Sequence, residues 1–132
     1  MLNNIPESYK NLLADESKAF VFLATTMSDG SPQVTPVWFS FDGQHIFINS
    51  ALGRIKDQNM RVRPQVALSI IDMHNPYLSM QVRGKVIELT SEGAAEHIGE
   101  LSQKYRGTSD FDIPDGQTRV IYKIIPEKIG LM

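Results

Sequence analysis

Basic side chains gather at one turn of the sequence, where a strand is predicted to pass into a helix. Residues 47–60 read Phe-Ile-Asn-Ser-Ala-Leu-Gly-Arg-Ile-Lys-Asp-Gln-Asn-Met, the pattern of a strand end, a turn of small residues and a helix. Four basic residues and one acid lie between Arg54 and Arg63, although the whole chain has a formal net charge of -2. Free backbone N–H groups and the positive end of the helix dipole meet at such a turn, here beside Arg54 and Lys56. The segment therefore predicts a phosphate site, and a solvated basic helix is the alternative.

No group of side chains has the pattern of a self-sufficient catalyst or of a metal site. The chain has three histidines, His45, His74 and His97, which fall in unrelated segments, and it has no cysteine. Neither an HExxH zinc motif nor a GxGxxG dinucleotide motif occurs. If the protein is an enzyme, a bound cofactor must supply the chemistry, while the protein supplies position and a dry pocket.

Pro36 interrupts a predicted strand that otherwise alternates over residues 33–41. Proline has no N–H to donate to a neighbouring strand, so it belongs at an edge, a bulge or a gap of a sheet. Two interpretations remain open. Either the segment is an edge strand protected from aggregation, or the backbone of residues 34–38 leaves polar groups free for a planar ligand.

Hydrophobic periodicity and turn residues predict a mainly β protein with helices. In chain order we expect a helix over 6–14, strands over 19–26, 33–41 and 44–49, a helix over 54–63, strands over 66–72 and 77–90, a helix capped by Ser91, and a strand over 117–125 ended by Pro126. The first three strands are expected to form an antiparallel meander, and a phase change at Gly84 predicts a bulge. These six strands should close into a small antiparallel barrel.

Composition limits the class of protein. A chain of 132 residues with 42% hydrophobic and 21% charged residues is expected to form one globular domain over 1–132. The slightly negative net charge argues against a general nucleic-acid binder, and no stretch approaches the ~20 apolar residues of a membrane span. Since no cysteine is present, a reducing cytoplasmic location is expected.

Several short motifs follow one another along nearly the whole chain. They are Ser-Asp-Gly-Ser-Pro-Gln-Val-Thr-Pro-Val-Trp-Phe at 28–39 before Asp42-Gly43, Asn49-Ser50 before Gly53-Arg54-x-Lys56-x-x-Asn59, Arg-Pro-x-Val-Ala-Leu-Ser at 63–69, Asn-Pro-Tyr at 75–77 before Val-Arg-Gly-Lys-Val at 82–86, and the closing strand from Arg119 to Ile129. Together they resemble the pyridoxamine 5′-phosphate oxidase-like split-barrel proteins. The likeness is closest to the short branch that depends on coenzyme F420, an 8-hydroxy-5-deazaflavin. This resemblance implies a six-stranded split-barrel homodimer with two cofactor sites at the subunit interface.

The resemblance also implies roles for individual residues. Arg54 and Lys56 would hold the cofactor phosphate, Asn49 and Ser50 would bond it or the ribityl chain, and Asn59, one turn beyond Lys56, would reach the polar tail. The cofactor ring would be lined by Val34, Thr35, Pro36, Val37 and Trp38. The partner subunit's wall would be formed by Pro76, Tyr77, Leu78 and Gln81.

The expected activity is hydride transfer between the bound deazaflavin and a small organic substrate, with water or a pocket group such as Tyr77 supplying the proton. The alternatives are an FMN-binding split barrel, acting as an oxidoreductase or a flavin carrier, and a cofactor-free dimeric interaction protein. Vitamin B6 oxidation is not expected, because the C-terminal arginine and histidine that grip pyridoxal phosphate in the oxidase have no counterpart here. Exposed Trp38, Tyr77, Leu78 and Met80 are expected to drive dimer formation.

Overall fold

The computed structural model describes residues 5–132, which form seven strands and three α-helices. The strands are β1 (Phe20–Thr26), β2 (Pro32–Val37), β3 (Phe39–Phe41), β4 (Ile46–Ala51), β5 (Gln65–Ile71), β6 (Ser79–Thr90) and β7 (Arg119–Leu131). The helices are α1 (Glu7–Lys10), α2 (Ile55–Val62) and α3 (Ala94–Arg106), and the 3-10 turns Asn11–Leu13 and Asp15–Ser17 follow α1. The predicted mainly β architecture is confirmed, but with seven strands rather than six.

The seven strands form one curled antiparallel sheet, in the order β2-β1-β5-β6-β7-β4-β3. β2 and β3 lie at opposite ends of this order, yet Trp38 alone separates them in the chain. The two ends of the sheet therefore meet at Trp38, which gives the curled sheet of a split barrel. The expected meander is found in part. Both of its antiparallel pairings form, β1 with β2 and β3 with β4, but the predicted strand over 33–41 is divided at Trp38, so the two hairpins lie at opposite ends of the sheet order.

Apolar side chains fill the inside of the curled sheet. The largest fully buried ones include Tyr122, Phe39, Leu12, Leu23, Ile46, Ile48, Met60, Ile70, Met80 and Ile124. Leu12 comes from the N-terminal segment and Met60 from α2, so both segments are anchored to the core. Burial of Met60 also fixes where the first turn of α2 lies, and this turn carries Lys56.

The predicted irregularity at Gly84 is confirmed, and it extends to the facing strand. The register between β6 and β7 shifts between Arg83 and Gly84 and again between Val86 and Glu88. Pro126 lies opposite Gly84 at the first shift. The expectation that Pro126 ends the strand is wrong, because a proline is tolerated where the ladder of hydrogen bonds is already interrupted.

The start of α3 also differs from the prediction. Ser91 is not its cap: the helix begins at Ala94 after Gly93, whose φ of 73° is left-handed. The backbone N–H of Ala94 donates to the carbonyl oxygen of Ser91 at 3.2 Å, so Ser91 belongs to the preceding turn. Two side chains then fasten α3 to the barrel: Lys104 Nζ donates to the Phe39 carbonyl at 2.8 Å, and Tyr105 Oη donates to the Ala19 carbonyl at 3.0 Å.

Within residues 5–132, no helix has the length and apolar character needed to cross a membrane. The same residues contain no group of three or more histidine, aspartate or glutamate side chains placed to hold a metal ion.

Candidate functional site

A cavity of about 420 Å³ opens where the two ends of the sheet meet. It lies among side chains from β1, the β2–Trp38 segment, β4, the start of α2, α3 and the start of β7. The lining residues are Ala19, Phe20, Val21, Phe22, Pro36, Val37, Trp38, Asn49, Arg54, Lys56, Ile98, Tyr105, Phe111 and Arg119. The lining therefore combines aromatic and apolar side chains with three cations and one amide.

The aromatic wall is held in a fixed geometry. The rings of Trp38 and Tyr105 stack at a centroid distance of 5.4 Å with an interplanar angle of 8°. Phe111 meets Trp38 edge to face at 6.2 Å. Because the hydroxyl group of Tyr105 is bound to the Ala19 carbonyl, this stack cannot turn freely. A rigid aromatic wall of this kind suits a flat ligand ring.

A short turn from β4 into α2 places the first two cations. Gly53 has a φ of +93°, a conformation that a side chain would strain. Its backbone N–H donates to the Asp57 carboxylate at 2.8 Å. Asp57 is buried and also accepts hydrogen bonds from Tyr122 Oη and, at 3.1 Å, from Arg61 Nε. The buried carboxylate of Asp57 therefore fixes the conformation of the turn that carries Arg54 and Lys56.

The hydrogen bonds at Asp57 favour its charged form. Burial alone would raise the pKa of Asp57, but the hydrogen bonds from Arg61, Gly53 and Tyr122 outweigh burial, and the net pKa is lowered. Burial and the hydrogen bond to Asp57 raise the pKa of Tyr122. Tyr122 therefore remains a hydrogen-bond donor to the carboxylate, and the hydrogen bonds of Asp57 persist at neutral pH.

Three cations face the cavity without a compensating acid. Burial lowers the pKa of Lys56, and the positive charges of Arg54 and Arg119 lower it further. The ion pairs found among residues 5–132 involve His45, Arg61 and Lys104, not these three side chains. A cluster of cations that repel one another in a half-buried cavity provides a site for an anion.

Arg119 is held by a chain of buried polar groups. Its Nε donates to Asn49 Oδ1 at 2.9 Å, and its guanidinium group lies 5.5 Å from the Phe111 ring. Asn49 Nδ2 donates to the Ala94 carbonyl at 2.9 Å and lies 3.1 Å from His97 Nδ1. His97 Nε2 lies 2.9 Å from Ser40 Oγ. Burial lowers the pKa of His97 to about 4, so the imidazole is neutral near pH 7.

The cavity brings together six of the residues predicted for the cofactor. Pro36, Val37 and Trp38 belong to its apolar and aromatic lining, and Asn49, Arg54 and Lys56 belong to its polar lining. β2 lies at one end of the sheet order, as the first interpretation of Pro36 required, and Pro36 lines the cavity. The second interpretation, that the backbone of residues 34–38 offers free polar groups to a ligand, stays a prediction.

Ser50 and Asn59 lie away from this cavity. Ser50 follows Asn49 in β4, so its side chain points to the opposite face, where its hydroxyl group is buried with no hydrogen-bond partner among residues 5–132. Asn59 is buried, and its Nδ2 donates to Thr25 Oγ1 at 3.0 Å while its Oδ1 accepts from Arg63 at 3.2 Å. The amide of Asn59 is therefore committed to contacts within the barrel.

The remaining predicted residues also lie outside the cavity of a single subunit. On β2, Val34 points outward and is 63% exposed, whereas the hydroxyl group of Thr35 is buried without a partner in the described part of the chain. In the loop before β6, Pro76 and Tyr77 are exposed, and Leu78 packs partly against the core. Gln81 Nε2 donates to Ser79 Oγ at 2.9 Å.

Sequence reasoning missed Arg119, Tyr105 and Phe111 as site residues. Tyr105 was predicted only as part of the apolar face of a helix, and Phe111 lies in a polar loop. Arg119 carried one usable signal, because an arginine at the start of a Val/Ile-rich strand is unusual unless it has a buried partner. The partner, Asn49, is 70 positions away in the sequence.

Comparisons with known proteins agree with this architecture. The family model described as pyridoxamine 5′-phosphate oxidase matches residues 5–132. A solved F420 reductase is 33% identical, with a TM-score of 0.83 over 96% of this chain and 98% of its own. No curated protein matches the chain at a significant level.

Two more distant solved structures share the fold. A Listeria innocua protein described as a candidate pyridoxamine 5′-phosphate oxidase is 24% identical, with a TM-score of 0.70 over 96% of this chain and 98% of its own. HupZ from Group A Streptococcus is 18% identical, with a TM-score of 0.71 over 97% of this chain and 94% of its own. At these identities the likeness concerns the fold alone.

Proposed function

Because the chain belongs to the pyridoxamine 5′-phosphate oxidase family of split-barrel proteins, we propose that it is an oxidoreductase that binds a flavin-type cofactor in the cavity beside Trp38. The observation that carries this proposal is the pairing of a rigid aromatic wall with three uncompensated cations in one cavity. A flavin or deazaflavin has the matching parts, a flat ring and an anionic phosphate.

The residues present fit such a cofactor. Arg54 and Lys56 would hold the phosphate at the first turn of α2, where the helix dipole and unpaired N–H groups add to their charge. Pro36, Val37 and Trp38 would line the ring, and Pro36 leaves the edge of the sheet with no N–H at that position. The side chains of Phe20 and Phe22 would add apolar surface beside the ring.

Hydride transfer to or from a small organic substrate is the chemistry that a bound flavin or deazaflavin supplies. The protein contributes position, an apolar wall and fixed positive charge. Among the residues that line the cavity in one subunit, only Tyr105 carries a hydroxyl group, and that hydroxyl group is already bound to the Ala19 carbonyl. With Lys56 assigned to the phosphate, the proton would come from water or from a group of the partner subunit, for which Tyr77 is the candidate.

The cofactor site is completed by a second subunit in this proposal. Phe20 and Phe22 are 53% and 38% exposed although they line the cavity, so one subunit leaves that side open. The loop and strand residues Pro76, Tyr77, Leu78 and Gln81 are the proposed wall from the partner. Val34 and Thr35 lie on β2 beside the ring-lining segment and contribute to the same closure.

Coenzyme F420 is the proposed cofactor. The F420 reductase that resembles this chain at 33% identity supports it. The phosphodiester and tail carboxylates of the deazaflavin also match the surplus of positive charge at the cavity. Arg61 in α2 and Arg63, which directly follows the helix, contribute less than the sequence suggested, because Arg61 is paired with Asp57 and Arg63 Nε is bound to the Thr26 carbonyl at 2.7 Å.

FMN is the second candidate, with a carrier or oxidoreductase role. It is favoured by the size of the cation cluster, since a terminal phosphate with up to two negative charges would neutralise most of the positive charge of Arg54, Lys56 and Arg119. The third possibility, a cofactor-free dimeric protein, leaves that cluster without an explanation.

Titration of the purified protein with each cofactor tests the proposal. Absorption and fluorescence should report binding of both, with F420 bound more tightly than FMN at low ionic strength because it carries more negative charge. The difference should narrow as salt is raised, because salt screens the additional charges of the tail. Tighter FMN binding at every salt concentration would assign the chain to the flavin branch. Failure of both to bind would overturn the proposed function.

A further inference from the structure

Arg119 has hydrogen-bonding capacity that the protein itself does not use. Its side chain lines the cavity although only 7% of the residue is exposed. Nε donates to Asn49, and Nη1 donates to Gln117 Oε1 at 3.0 Å. Nη2 makes no hydrogen bond with any residue that the structure describes, and no carboxylate there pairs with the guanidinium group. A buried cation with free donors requires a partner, because an uncompensated buried charge is costly.

Both N–H donors of Asn49 are committed within the protein, so the amide nitrogen cannot donate to a ligand without losing one of these bonds. Its Oδ1 accepts from Arg119, and its Nδ2 donates to the Ala94 carbonyl and to His97 Nδ1. A reversed amide would place Nδ2 against Arg119 Nε and Oδ1 against the Ala94 carbonyl. Both contacts would be repulsive, so the amide orientation is fixed by its surroundings.

His97 is the residue that supports Asn49 in this series of hydrogen bonds. Since Asn49 Nδ2 donates to His97 Nδ1, the imidazole proton is on Nε2, which donates to Ser40 Oγ at 2.9 Å. His97 is 9% exposed, and the ionisable groups that line the outer cavity with it are Asp42, Glu88, Glu100 and Lys123. The neutral form is the one that can accept from Asn49, and burial favours that form.

We propose that Arg119 is a third anion-binding residue of the cavity, and that Asn49 and His97 act as positioning residues that hold its guanidinium group toward the ligand phosphate. The proposal rests on the proposed function, and it assigns to Asn49 a role different from direct contact with the cofactor. It also gives His97 a role, although the imidazole lies behind Asn49 and outside the main cavity.

A comparison of ligands with and without the phosphate isolates this role. The probes are FMN against riboflavin, and F420 against its deazaflavin nucleoside, which lacks the phosphate and the tail. Each pair shares one ring, so the ratio of the two dissociation constants measures what the protein gains from the anionic part. Ring binding serves as an internal control for a folded cavity.

Arg119→Gln is expected to weaken FMN binding about ten- to hundredfold while riboflavin binding changes less than about threefold. Arg119→Lys should recover part of the loss, since the charge returns without the Nε–H that binds Asn49. Arg106→Gln, at an exposed arginine in the last turn of α3, is the matched control and should leave the ratio unchanged.

His97→Phe keeps a ring of similar shape but offers no acceptor to Asn49. It is expected to lower the preference for FMN, measured as the riboflavin dissociation constant divided by that of FMN, about three- to tenfold. His97→Gln, whose side-chain oxygen can accept from Asn49, should restore that preference. Equal loss of FMN and riboflavin binding in His97→Phe would make His97 a structural residue only.

The outcomes separate this inference from the function on which it rests. If the wild type binds FMN or F420 but Arg119→Gln retains the full phosphate dependence, Arg119 is not an anion ligand and the inference is overturned. If the wild type binds none of the four ligands, the proposed function is overturned together with the inference. Loss of phosphate dependence in Arg119→Gln alone, with riboflavin still bound, supports both.

Discussion

Arg54 and Lys56 differ in burial, and this difference decides how much each should contribute to binding. Lys56 is partly buried with a lowered pKa, whereas Arg54 is exposed at the N-cap position of α2. Solvent and salt screen the charge of Arg54 more effectively than the charge of Lys56. The side chains therefore should not contribute equally, even if both contact the same phosphate.

Lys56→Ala is expected to weaken cofactor binding by about 1.5–3 kcal/mol, the range of a charge-assisted hydrogen bond. Arg54→Ala should cost less, and its effect should fall as salt is raised. Isothermal titration calorimetry at low and high salt measures both, with Arg106→Ala as a control for loss of an exposed positive charge. Unchanged affinity in both variants at low salt would make the start of α2 a solvated basic surface.

Sequence reasoning located the residues that lie near one another in the chain. Asn49, Arg54 and Lys56 surround one turn, and a glycine followed by basic residues is a local signal that the sequence displays directly. Arg119 could not be found in this way, because its role depends on a contact with Asn49 across 70 positions. For the same reason the stack of Tyr105 on Trp38 was not predicted.

Strand positions could be read from the sequence, but strand partners could not. Alternation of apolar residues marks a strand and its buried face, and it predicted the hairpins β1–β2 and β3–β4 through their turns. It carries no information on which edge a hairpin joins. The segment that was predicted as one strand over 33–41 is divided at Trp38, where the chain passes from one end of the sheet to the other.

The contact between β6 and β7 is the tightest constraint at the level of elements. A Cβ atom on Gly84 would lie 2.5 Å from the Ile125 carbonyl oxygen and 3.0 Å from Ile124 Cγ2. Backbone cannot move away as a flexible side chain can, so the register of the bulge depends on the absence of a side chain at this position.

Gly84→Ala is therefore expected to lower the free energy of unfolding by about 1–3 kcal/mol, the range for overpacking. Gly130→Ala is the matched control on the facing strand, because a Cβ there would meet only the flexible Gln81 side chain at 3.9 Å. Urea denaturation followed by circular dichroism, at one protein concentration, gives both values. Equal stability of the two variants would contradict a close backbone approach at Gly84.

The surface of the whole molecule has an apolar face that one subunit leaves uncovered. In the register of β1, β2 and β5, Phe22 lies opposite Pro36 and Phe20 lies opposite Ile71. Val34, opposite Ala24, extends the same face. The earlier basis for a dimer was partly wrong, because Met80 is fully buried in the core rather than exposed. The expectation now rests on the outward face of β1 and β2.

We predict a two-fold dimer through this face. Val34→Glu, which places a charge among apolar groups, should shift the protein toward the monomer in light scattering at micromolar concentration. Ile87→Glu is the control, since Ile87 is also exposed but lies at the second register shift of β6. A wild type that is monomeric at that concentration would remove the partner wall from the proposed site.

Trp38 links the closure of the sheet to the wall of the cavity. It is the single residue that joins the two ends of the sheet, and it is also the ring that stacks in the cavity wall. An open sheet therefore has no complete binding site, and a ligand that binds only the closed sheet adds about 2.7 kcal/mol of stability at a hundredfold excess over its dissociation constant. In a cell, the supply of that ligand would then set how much of the protein escapes proteolysis, so the abundance of the protein would follow the abundance of the proposed cofactor.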